Sequence, residues 1–214
     1  MEPKLPRENY QKVMEACLAN LPQSGEKPRL LLHSCCGPCS SYVLECLSAY
    51  FRVTVDYYNP NIYPEAEFEK RLAEQTRLLS EMPAAKGVAL LPPSYDETEF
   101  LDAVKGMESE PEGGARCAVC YRLRLAHTAK LAAAEGFDYF TTTLTVSPYK
   151  HADVLNEIGK ELAEEFGVPY LFSDFKKKDG YKRSCALAAE YGLYRQDYCG
   201  CRFSLREEDE KART

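Results

Sequence analysis

The sequence predicts an α/β fold in which helices cover a mostly parallel, five-stranded sheet. Short apolar runs alternate with segments whose apolar residues recur at helical spacing. Strands and helices that alternate in this way form βαβ units, and these units build parallel sheets. Gly, Pro and Asn residues separate the segments, as expected for connecting turns. The sequence contains no internal repeat or low-complexity linker, so residues 1–214 are predicted to form a single domain.

The first half of the chain alternates between helices and strands. Residues 10–21 carry apolar side chains at helical spacing, whereas 29–33 form a continuous apolar run typical of a buried strand. Pro38 is acceptable at the first turn of the next helix, and Asn59 and Pro60 end the second strand. The predicted elements are helix 10–21, strand 29–33, helix 40–51, strand 53–58, helix 65–82 and strand 88–91.

The second half repeats this alternation and ends in an irregular segment that bears cysteines. Gly136 and Gly167 supply stop signals for the two long helices that precede them. The predicted elements are helix 96–105, helix 117–135, strand 139–144, helix 151–166, strand 168–172 and helix 179–191. Residues 1–28 are predicted to be an N-terminal helix and link, and 202–214 a charged tail.

The composition argues against several classes of protein. No stretch approaches the roughly 20 apolar residues of a membrane span, and the polar N-terminus is unlike a signal peptide. We therefore expect a cytoplasmic protein without a membrane partner, in which thiols stay reduced. A net charge of −6 argues against non-specific nucleic-acid binding. Residues 176–183 nevertheless form a local basic segment, whose alternative interpretation is a solvated face.

Seven of the ten cysteines fall into three close groups. Clustered cysteines in a cytoplasmic protein indicate metal binding or thiol redox chemistry rather than structural disulfides. The groups are Cys35, Cys36 and Cys39; Cys117 and Cys120; and Cys199 and Cys201. The remaining three, Cys17, Cys46 and Cys185, lie on apolar helical faces and are predicted to be inert core residues.

The first two groups together can supply the four thiolates of a 4Fe–4S cluster. Adjacent Cys35 and Cys36 are poor partners on one structural zinc, but each can bind a different iron. Cys117 and Cys120 are three residues apart and share one side of the first turn of a helix. Positive potential at this end of a helix favours thiolates. The alternative is that Cys117 and Cys120 form a lone redox or zinc pair.

Cys199 and Cys201 differ from the other groups because a single glycine separates them. Such thiols can close a small, strained and readily reduced disulfide, or they can chelate one metal ion. Cys39 is a candidate third ligand for such an ion. The alternative interpretation is that these three cysteines are incidental thiols.

The chain lacks the signatures of nicotinamide, flavin and ATP sites. It contains no Gly-x-Gly-x-x-Gly, Walker or His-Glu-x-x-His motif, so its electrons must come from outside. His33 precedes the first cysteine group, and His151 follows Lys150. Each histidine is a candidate for a role in the site, although packed or hydrogen-bonded histidines are more common.

The cysteine groups and their surroundings resemble the QueH-type epoxyqueuosine reductases. The resemblance covers residues 29–201, and its first motif reads Leu-His-Ser-Cys-Cys-Gly-Pro-Cys-Ser-Ser at 32–41. Its second cysteine motif reads Arg-Cys-Ala-Val-Cys-Tyr-Arg-Leu-Arg at 116–124. The other matching segments are 58–62, 142–150, 175–177, 180–181 and 191–201, together with Arg71.

This resemblance implies an adenine nucleotide alpha hydrolase-like (HUP-type) fold and the last step of queuosine synthesis. That step removes the epoxide oxygen from epoxyqueuosine at the tRNA wobble position. The family's 4Fe–4S ligands match Cys35, Cys36, Cys117 and Cys120. The cysteines that match Cys199 and Cys201 are described as a redox-active pair or as ligands of a second iron. Some relatives have Asp where this chain has Cys39.

The implied chemistry needs two electrons, two protons and help for a leaving oxygen, and a Lewis-acidic iron can hold the developing alkoxide. The candidate proton donors are His33, Tyr149, Asp197 and Tyr198. The candidate tRNA-binding residues are Arg122, Lys150, Lys176, Lys177, Lys182 and Arg195, with Tyr58 or Tyr181 stacking on bases. The expected partners are tRNA carrying epoxyqueuosine and an external electron donor of the ferredoxin, flavodoxin or thiol type.

Two other functions remain alternatives. The first is a PP-loop-like tRNA thiolase or adenylating enzyme on the same fold, which would need a Ser-Gly-Gly-x-Asp-Ser type phosphate loop after the first strand. Residues 34–41 occupy that place and lack both the glycine pair and the aspartate. The second is a zinc-stabilised RNA-binding module without catalysis, which would bind zinc and show no thiolate–iron absorbance.

Overall fold

A computed structural model describes residues 8–22 and 24–205 of the chain. The strands of this part are β1 (Arg29–His33), β2 (Arg52–Asp56), β3 (Ala89–Leu90) and β4 (Tyr139–Thr142). The α-helices are α1 (Tyr10–Ala19), α2 (Gly37–Leu47), α3 (Glu65–Glu81), α4 (Glu97–Ala103), α5 (Ala115–Ala134), α6 (Ala152–Phe166) and α7 (Gly180–Glu190). Short 3₁₀ turns occupy Pro83–Ala85, Thr143–Val146 and Arg202–Ser204.

The sheet is parallel throughout and has the order β3–β2–β1–β4. The two strands that flank β1 are β2 and β4, with Leu31 opposite Thr54 on one side and Phe140 on the other. Because all strands are parallel, their carboxyl ends meet at one edge, where open α/β sheets form their sites. The predicted α/β class with a mostly parallel sheet is confirmed.

The predicted fifth strand, 168–172, is wrong as a strand: the described sheet has four strands. The segment does run beside β4, but it forms only one parallel bridge, between Phe140 and Tyr170. The Leu171 carbonyl instead accepts a hydrogen bond from Thr141 Oγ1 (2.8 Å), and the Ser173 amide donates to Asn156 Oδ1 (2.9 Å). Side chains therefore satisfy backbone groups that a longer strand would pair in a ladder.

Apolar side chains of the sheet alternate between two cores, as strand geometry requires. Leu30 and Leu32 of β1 face a core built with α1, α2, α3 and α7. Leu31 faces the opposite core, which contains Leu125 of α5 and Leu155 of α6. Helices thus cover both faces of the sheet, as predicted.

The start of α2 differs from its predicted position by one turn. The helix begins at Gly37 rather than near residue 40, and Pro38 lies in its first turn as expected. A side chain at position 37 would lie 3.3 Å from the Glu74 carbonyl oxygen of α3. The glycine therefore permits the close approach of α2 and α3 beside the cysteine loop.

The two ends of the chain are described only in part. The helix within predicted residues 1–28 is observed as α1, whereas residues 1–7 lie outside the described range. Of the predicted tail 202–214, the first residues form a 3₁₀ turn and 206–214 lie outside that range. Within the described residues, no helix combines the length and apolar character needed to cross a membrane.

Candidate active site

The first cysteine group lies in the turn between β1 and α2. Cys36 is the N-cap of α2, and Cys39 lies in its first turn. The Sγ atoms of Cys35, Cys36 and Cys39 all lie within 4.8 Å of one another, with 3.8 Å between Cys35 and Cys36. Gln196 from the C-terminal segment donates a hydrogen bond to Cys36 Sγ (3.1 Å). The turn therefore brings three thiols close together.

The three thiols do not share one electrostatic environment. Hydrogen bonds from Cys36 and Cys39 and the nearby Arg124 lower the pKa of the Cys35 thiol well below its usual range. The interaction with Cys35 raises the pKa of Cys36 to about 12. Cys35 is therefore the member of the group that most readily carries negative charge, which is the form that binds metals.

The second cysteine group lies on one face of α5. Cys117 Sγ accepts a hydrogen bond from the Gly113 amide in the preceding loop (3.2 Å). Cys120 is buried, and burial raises the pKa of its thiol. Among the described residues, neither thiol belongs to the trio of sulfur atoms that lie within 4.8 Å of one another. The predicted four-cysteine cage therefore consists of two neighbouring pairs, and its metal-binding role stays a prediction.

Arg124 connects these two groups, although it was not among the predicted site residues. Its side chain is 2 % exposed, and its Nη2 donates to Asn59 Oδ1 (2.7 Å). Burial alone would lower the pKa of Arg124, but interactions with Cys120 and Cys35 raise it overall. Residues 117, 120 and 124 follow the spacing of one helical face, and this is the signal that could have identified the arginine.

His33 is enclosed behind the cysteines and does not line the cavity described below. Its Nε2 lies 3.2 Å from Arg124 Nε and 3.2 Å from the Tyr58 carbonyl oxygen, and its Nδ1 lies 2.8 Å from Thr142 Oγ1. Burial and the charge of Arg124 lower the pKa of His33 to about 3. These contacts suit a neutral residue that orients Arg124. The predicted proton-donor role of His33 stays a prediction.

The third cysteine group lies in the C-terminal segment, which packs against α3 and the loop after β2. The Lys150 ammonium donates a hydrogen bond to Cys199 Sγ (2.8 Å). Burial alone would lower the pKa of Lys150, whereas Cys199 and Tyr121 raise it overall. Cys201 is buried beside Cys120 and Phe100, and burial raises its pKa to about 12. All ten cysteines are free thiols, so the structure contains no disulfide between Cys199 and Cys201.

Arg71 of α3 holds this cysteine segment in place. It is 1 % exposed and pairs through Nε with Glu67 Oε1 (2.7 Å). Its two terminal nitrogens donate to the carbonyl oxygens of Cys199 (3.3 Å) and Tyr198 (3.5 Å). Gly200 has a φ of +104°, and a Cβ there would lie 2.9 Å from Arg71 Nη1. The Arg71 side chain can therefore occupy this position only because residue 200, between the two cysteines, is a glycine.

A cavity of about 440 Å³ opens between these groups. Its lining includes Cys35, Cys39, Cys199, Arg124, Lys150 and Arg195. Three predicted proton donors, Tyr149, Asp197 and Tyr198, also line it. The Tyr198 hydroxyl donates to the Tyr63 carbonyl, and the Tyr149 ring extends into solvent.

The predicted tRNA-binding residues divide between this cavity and other surfaces. Lys150 and Arg195 line the cavity, and Lys177 and Lys182 are exposed close to Tyr181, which also lines it. Arg122 lies on another face of α5 and pairs with Glu161 (2.6 Å) and Glu165 (3.0 Å) of α6. Lys176 pairs with Asp174 (2.9 Å).

Two predictions about individual side chains need correction. Tyr58 was expected to be available for stacking on bases, but it is buried and stacks on His127, with a centroid distance of 3.8 Å. Cys185 was expected to be an inert core residue, but it lines the cavity. Cys17 and Cys46 pack against the first core, as predicted.

The donor set of the first cysteine group fits a soft metal or an iron–sulfur group. Thiolates are the preferred ligands of both. The Sγ atoms of Cys35, Cys36 and Cys39 lie within 4.8 Å of one another, so the turn presents three sulfur ligands together. Cys120 and Cys199 are the further thiols close to Arg124, whose charge offsets that of bound thiolates.

Comparison with known proteins identifies relatives over most of the chain. The family model described as "Epoxyqueuosine reductase QueH" matches residues 30–207. A protein of that name from Staphylococcus epidermidis is 39 % identical over 204 residues, covering 94 % of this chain and 86 % of the relative. The protein of that name from Streptococcus pyogenes is 40 % identical, covering 92 % and 78 % of the two chains. The one from Thermotoga maritima is 36 % identical, covering 85 % and 93 %.

The fold has a more distant match among solved structures. The U34-tRNA thiolase NcsA from Methanococcus maripaludis, solved with its [4Fe-4S] cluster, aligns with a TM-score of 0.55. The alignment covers 94 % of this chain and 69 % of the thiolase, at 14 % sequence identity. This likeness shows a shared fold.

Proposed function

The chain belongs to the QueH family of epoxyqueuosine reductases, and from this premise we propose that it removes the epoxide oxygen of epoxyqueuosine at the tRNA wobble position. The reaction consumes two electrons and two protons. Both carbon–oxygen bonds of the epoxide break, the two carbons become an alkene, and the oxygen leaves as water. The enzyme is therefore an oxidoreductase that acts in tRNA modification.

The observation that carries this proposal is the convergence of cysteines from distant parts of the chain on one cavity. Cys35 and Cys39 come from the turn after β1, and Cys199 comes from the C-terminal segment. The cavity volume of about 440 Å³ lies within the usual range of ligand sites, about 300–1,000 Å³. A nucleoside turned out of the anticodon loop could therefore reach the thiols.

We further propose that Cys35, Cys36, Cys117 and Cys120 hold a 4Fe–4S cluster. When bound, the cluster would relay single electrons from an external donor to the substrate cavity. We propose that Cys199 and Cys201, with Cys39, bind a second iron or act as a redox pair. The buried Arg124 supports the first of these roles, because its positive charge offsets that of the thiolates beside it.

Lys150 supplies a positive charge to the leaving oxygen in the proposed reaction. Its ammonium lines the cavity and contacts Cys199 Sγ (2.8 Å). A fixed positive charge at this point stabilises the negative charge that develops on the oxygen as it leaves the substrate. Tyr149, Asp197 and Tyr198 remain the candidate proton donors within the cavity. The proposed partners are tRNA and a donor of the ferredoxin, flavodoxin or thiol type, in the cytoplasm.

The loop after β1 favours this function over ATP-dependent thiolation. Ser34 Oγ and Ser40 Oγ both donate hydrogen bonds to Gln75 Oε1 (2.9 and 2.7 Å). Ser41 Oγ donates to the Pro38 carbonyl (2.8 Å). All three serine hydroxyls are buried and engaged within the protein, so they do not face a phosphate group.

The function is tested by expressing the chain in a bacterial strain that accumulates epoxyqueuosine. Mass spectrometry of the tRNA nucleosides should reveal queuosine, lighter than the substrate by one oxygen atom. Cys199→Ala should abolish the conversion while the absorbance of the 4Fe–4S cluster persists, and Cys17→Ala serves as the matched control. Soluble, metallated protein that leaves epoxyqueuosine unchanged would contradict the proposed function. A fully active Cys199→Ala variant would restrict that cysteine to a structural role.

A further inference from the structure

Tyr149 is the most exposed large hydrophobic side chain in the described part of the molecule. It is 78 % exposed, compared with 43 % for Tyr50 and 37 % for Val154. A large apolar ring held in water is unfavourable, and exposed aromatic residues that adjoin a ligand site are often contact residues. The position of this ring beside the cavity makes it available for contact with a partner.

The turn that carries Tyr149 is fixed by its own backbone. The Tyr149 amide donates to Ser147 Oγ (3.3 Å), the Lys150 amide donates to the Ser147 carbonyl (3.3 Å), and the Ser147 amide donates to the Leu144 carbonyl (3.2 Å). Leu144 belongs to the buried 3₁₀ turn that follows β4. The exposed ring therefore stands on a segment that is anchored to the sheet, which lowers the entropy lost when a partner binds.

The surroundings of Tyr149 match single-stranded RNA. The ring lines the mouth of the cavity, whose interior holds the reactive cysteines. Arg195 also lines the cavity, is exposed, and donates to the Tyr181 hydroxyl (3.4 Å). An aromatic ring and an exposed cation that line the same cavity form a combination that binds unstacked bases and their phosphates.

We propose that Tyr149 is a stacking platform for the anticodon-loop base adjacent to the modified nucleoside. This inference rests on the proposed function, because the modified nucleoside must leave its stack to enter the cavity. Its departure exposes the face of the neighbouring base, and the Tyr149 ring covers that face. Tyr149 then acts through its ring rather than through its hydroxyl, which distinguishes this role from proton donation.

Steady-state kinetics on tRNA separate the two roles of Tyr149. Stacking predicts that Tyr149→Ala raises KM for tRNA by about tenfold or more and changes kcat little, because base stacking on an aromatic ring is lost. Tyr149→Phe should keep the low KM, since the ring remains. Tyr50→Ala removes the other exposed tyrosine, which does not line the cavity, and should not change either constant. Equal loss of kcat in Tyr149→Phe and Tyr149→Ala would overturn stacking in favour of proton donation.

A binding measurement tests the inference independently of catalysis. The chain contains no tryptophan, so Tyr149→Trp introduces a single fluorescent reporter at the proposed platform. Titration of the metal-loaded variant with an unmodified anticodon stem-loop should quench this tryptophan, whereas Tyr50→Trp should show no change. If both variants respond equally or neither responds while the wild-type protein binds the stem-loop, the stacking proposal fails and the reductase function stands. If metal-loaded wild-type protein does not convert substrate but Tyr149→Trp is quenched, the function fails and the RNA-binding role stands.

Discussion

At the residue scale, Arg124 is the buried charge around which the candidate site is organised. Its guanidinium donates to Asn59 and His33 and lies close to Cys35 and Cys120. An isolated cation in this position would be strongly destabilising, whereas thiolates bound to a metal would offset its charge. We therefore propose that the arginine couples the stability of the fold to metal binding by these cysteines.

Replacing Arg124 tests this coupling. We expect Arg124→Met to lower the free energy of unfolding of the metal-loaded protein by about 3–5 kcal/mol, because buried polar and charged partners lose their donor. The iron content after anaerobic reconstitution should fall in parallel.

Arg122→Met, on the same helix, is the matched control for this change. Arg122 is 45 % exposed and forms surface ion pairs, so its loss should cost less than about 1 kcal/mol and leave the iron content unchanged. Chemical denaturation and metal analysis measure both effects. Arg124→Met protein with the iron content and stability of the wild type would contradict the proposed role.

At the element scale, helix α3 holds two parts of the chain in place through two arginines. Arg71 donates to the carbonyl oxygens of Tyr198 and Cys199. Arg77, further along the same helix, donates to the carbonyl oxygens of Tyr191 (2.9 Å) and Gly192 (3.1 Å). The Tyr63 amide adds a hydrogen bond to the Gly200 carbonyl (2.8 Å). The C-terminal cysteines are therefore positioned by α3 and the loop before it rather than by an element of their own.

Arg71→Lys separates the positioning of the cysteine segment from the stability of the helix. Lysine keeps a positive charge for Glu67 but cannot reproduce the planar fork of donors. We expect Cys199 in the metal-free protein to be alkylated about tenfold faster or more, because hydrogen bonds from a charged donor contribute about 1.5–3 kcal/mol each.

Arg77→Lys is the parallel change on the same helix and should leave the alkylation rate of Cys199 unchanged. Peptide mass mapping after timed alkylation gives both rates. If the two variants react at the same rate, Arg71 does not position the segment.

At the scale of the whole molecule, the features that could be predicted from the sequence are those set by local patterns of apolar residues. The run at Leu30–Leu32 identified a buried strand, and alternation with amphipathic helices identified a parallel sheet. The prediction of a fifth strand was wrong because residues 168–172 pair with β4 through a single bridge around Phe140. Beyond that bridge, Thr141 and Asn156 supply side-chain partners for the backbone of this region. Such partners come from distant positions, so no local pattern reveals them.

The candidate site could also be predicted only where it depends on local spacing. Spacing alone identified the cysteine groups, whereas the roles of Arg124 and Arg71 depend on which helices pack beside those groups. The convergence of Lys150 on Cys199 also joins segments 49 residues apart. Long-range packing of this kind can be seen only in the folded chain.

The central claim is that metal-loaded cysteines at the edge of this sheet carry out the reduction of epoxyqueuosine in tRNA. The most direct measurement is a single-turnover assay of anaerobically reconstituted protein with epoxyqueuosine-tRNA and a chemical reductant. We predict that protein with about four irons or more per chain, as one 4Fe–4S cluster requires, converts the nucleoside to queuosine. Protein loaded with zinc should convert none. Conversion by zinc-loaded protein, or no conversion by iron-loaded protein that binds the tRNA, would contradict the account.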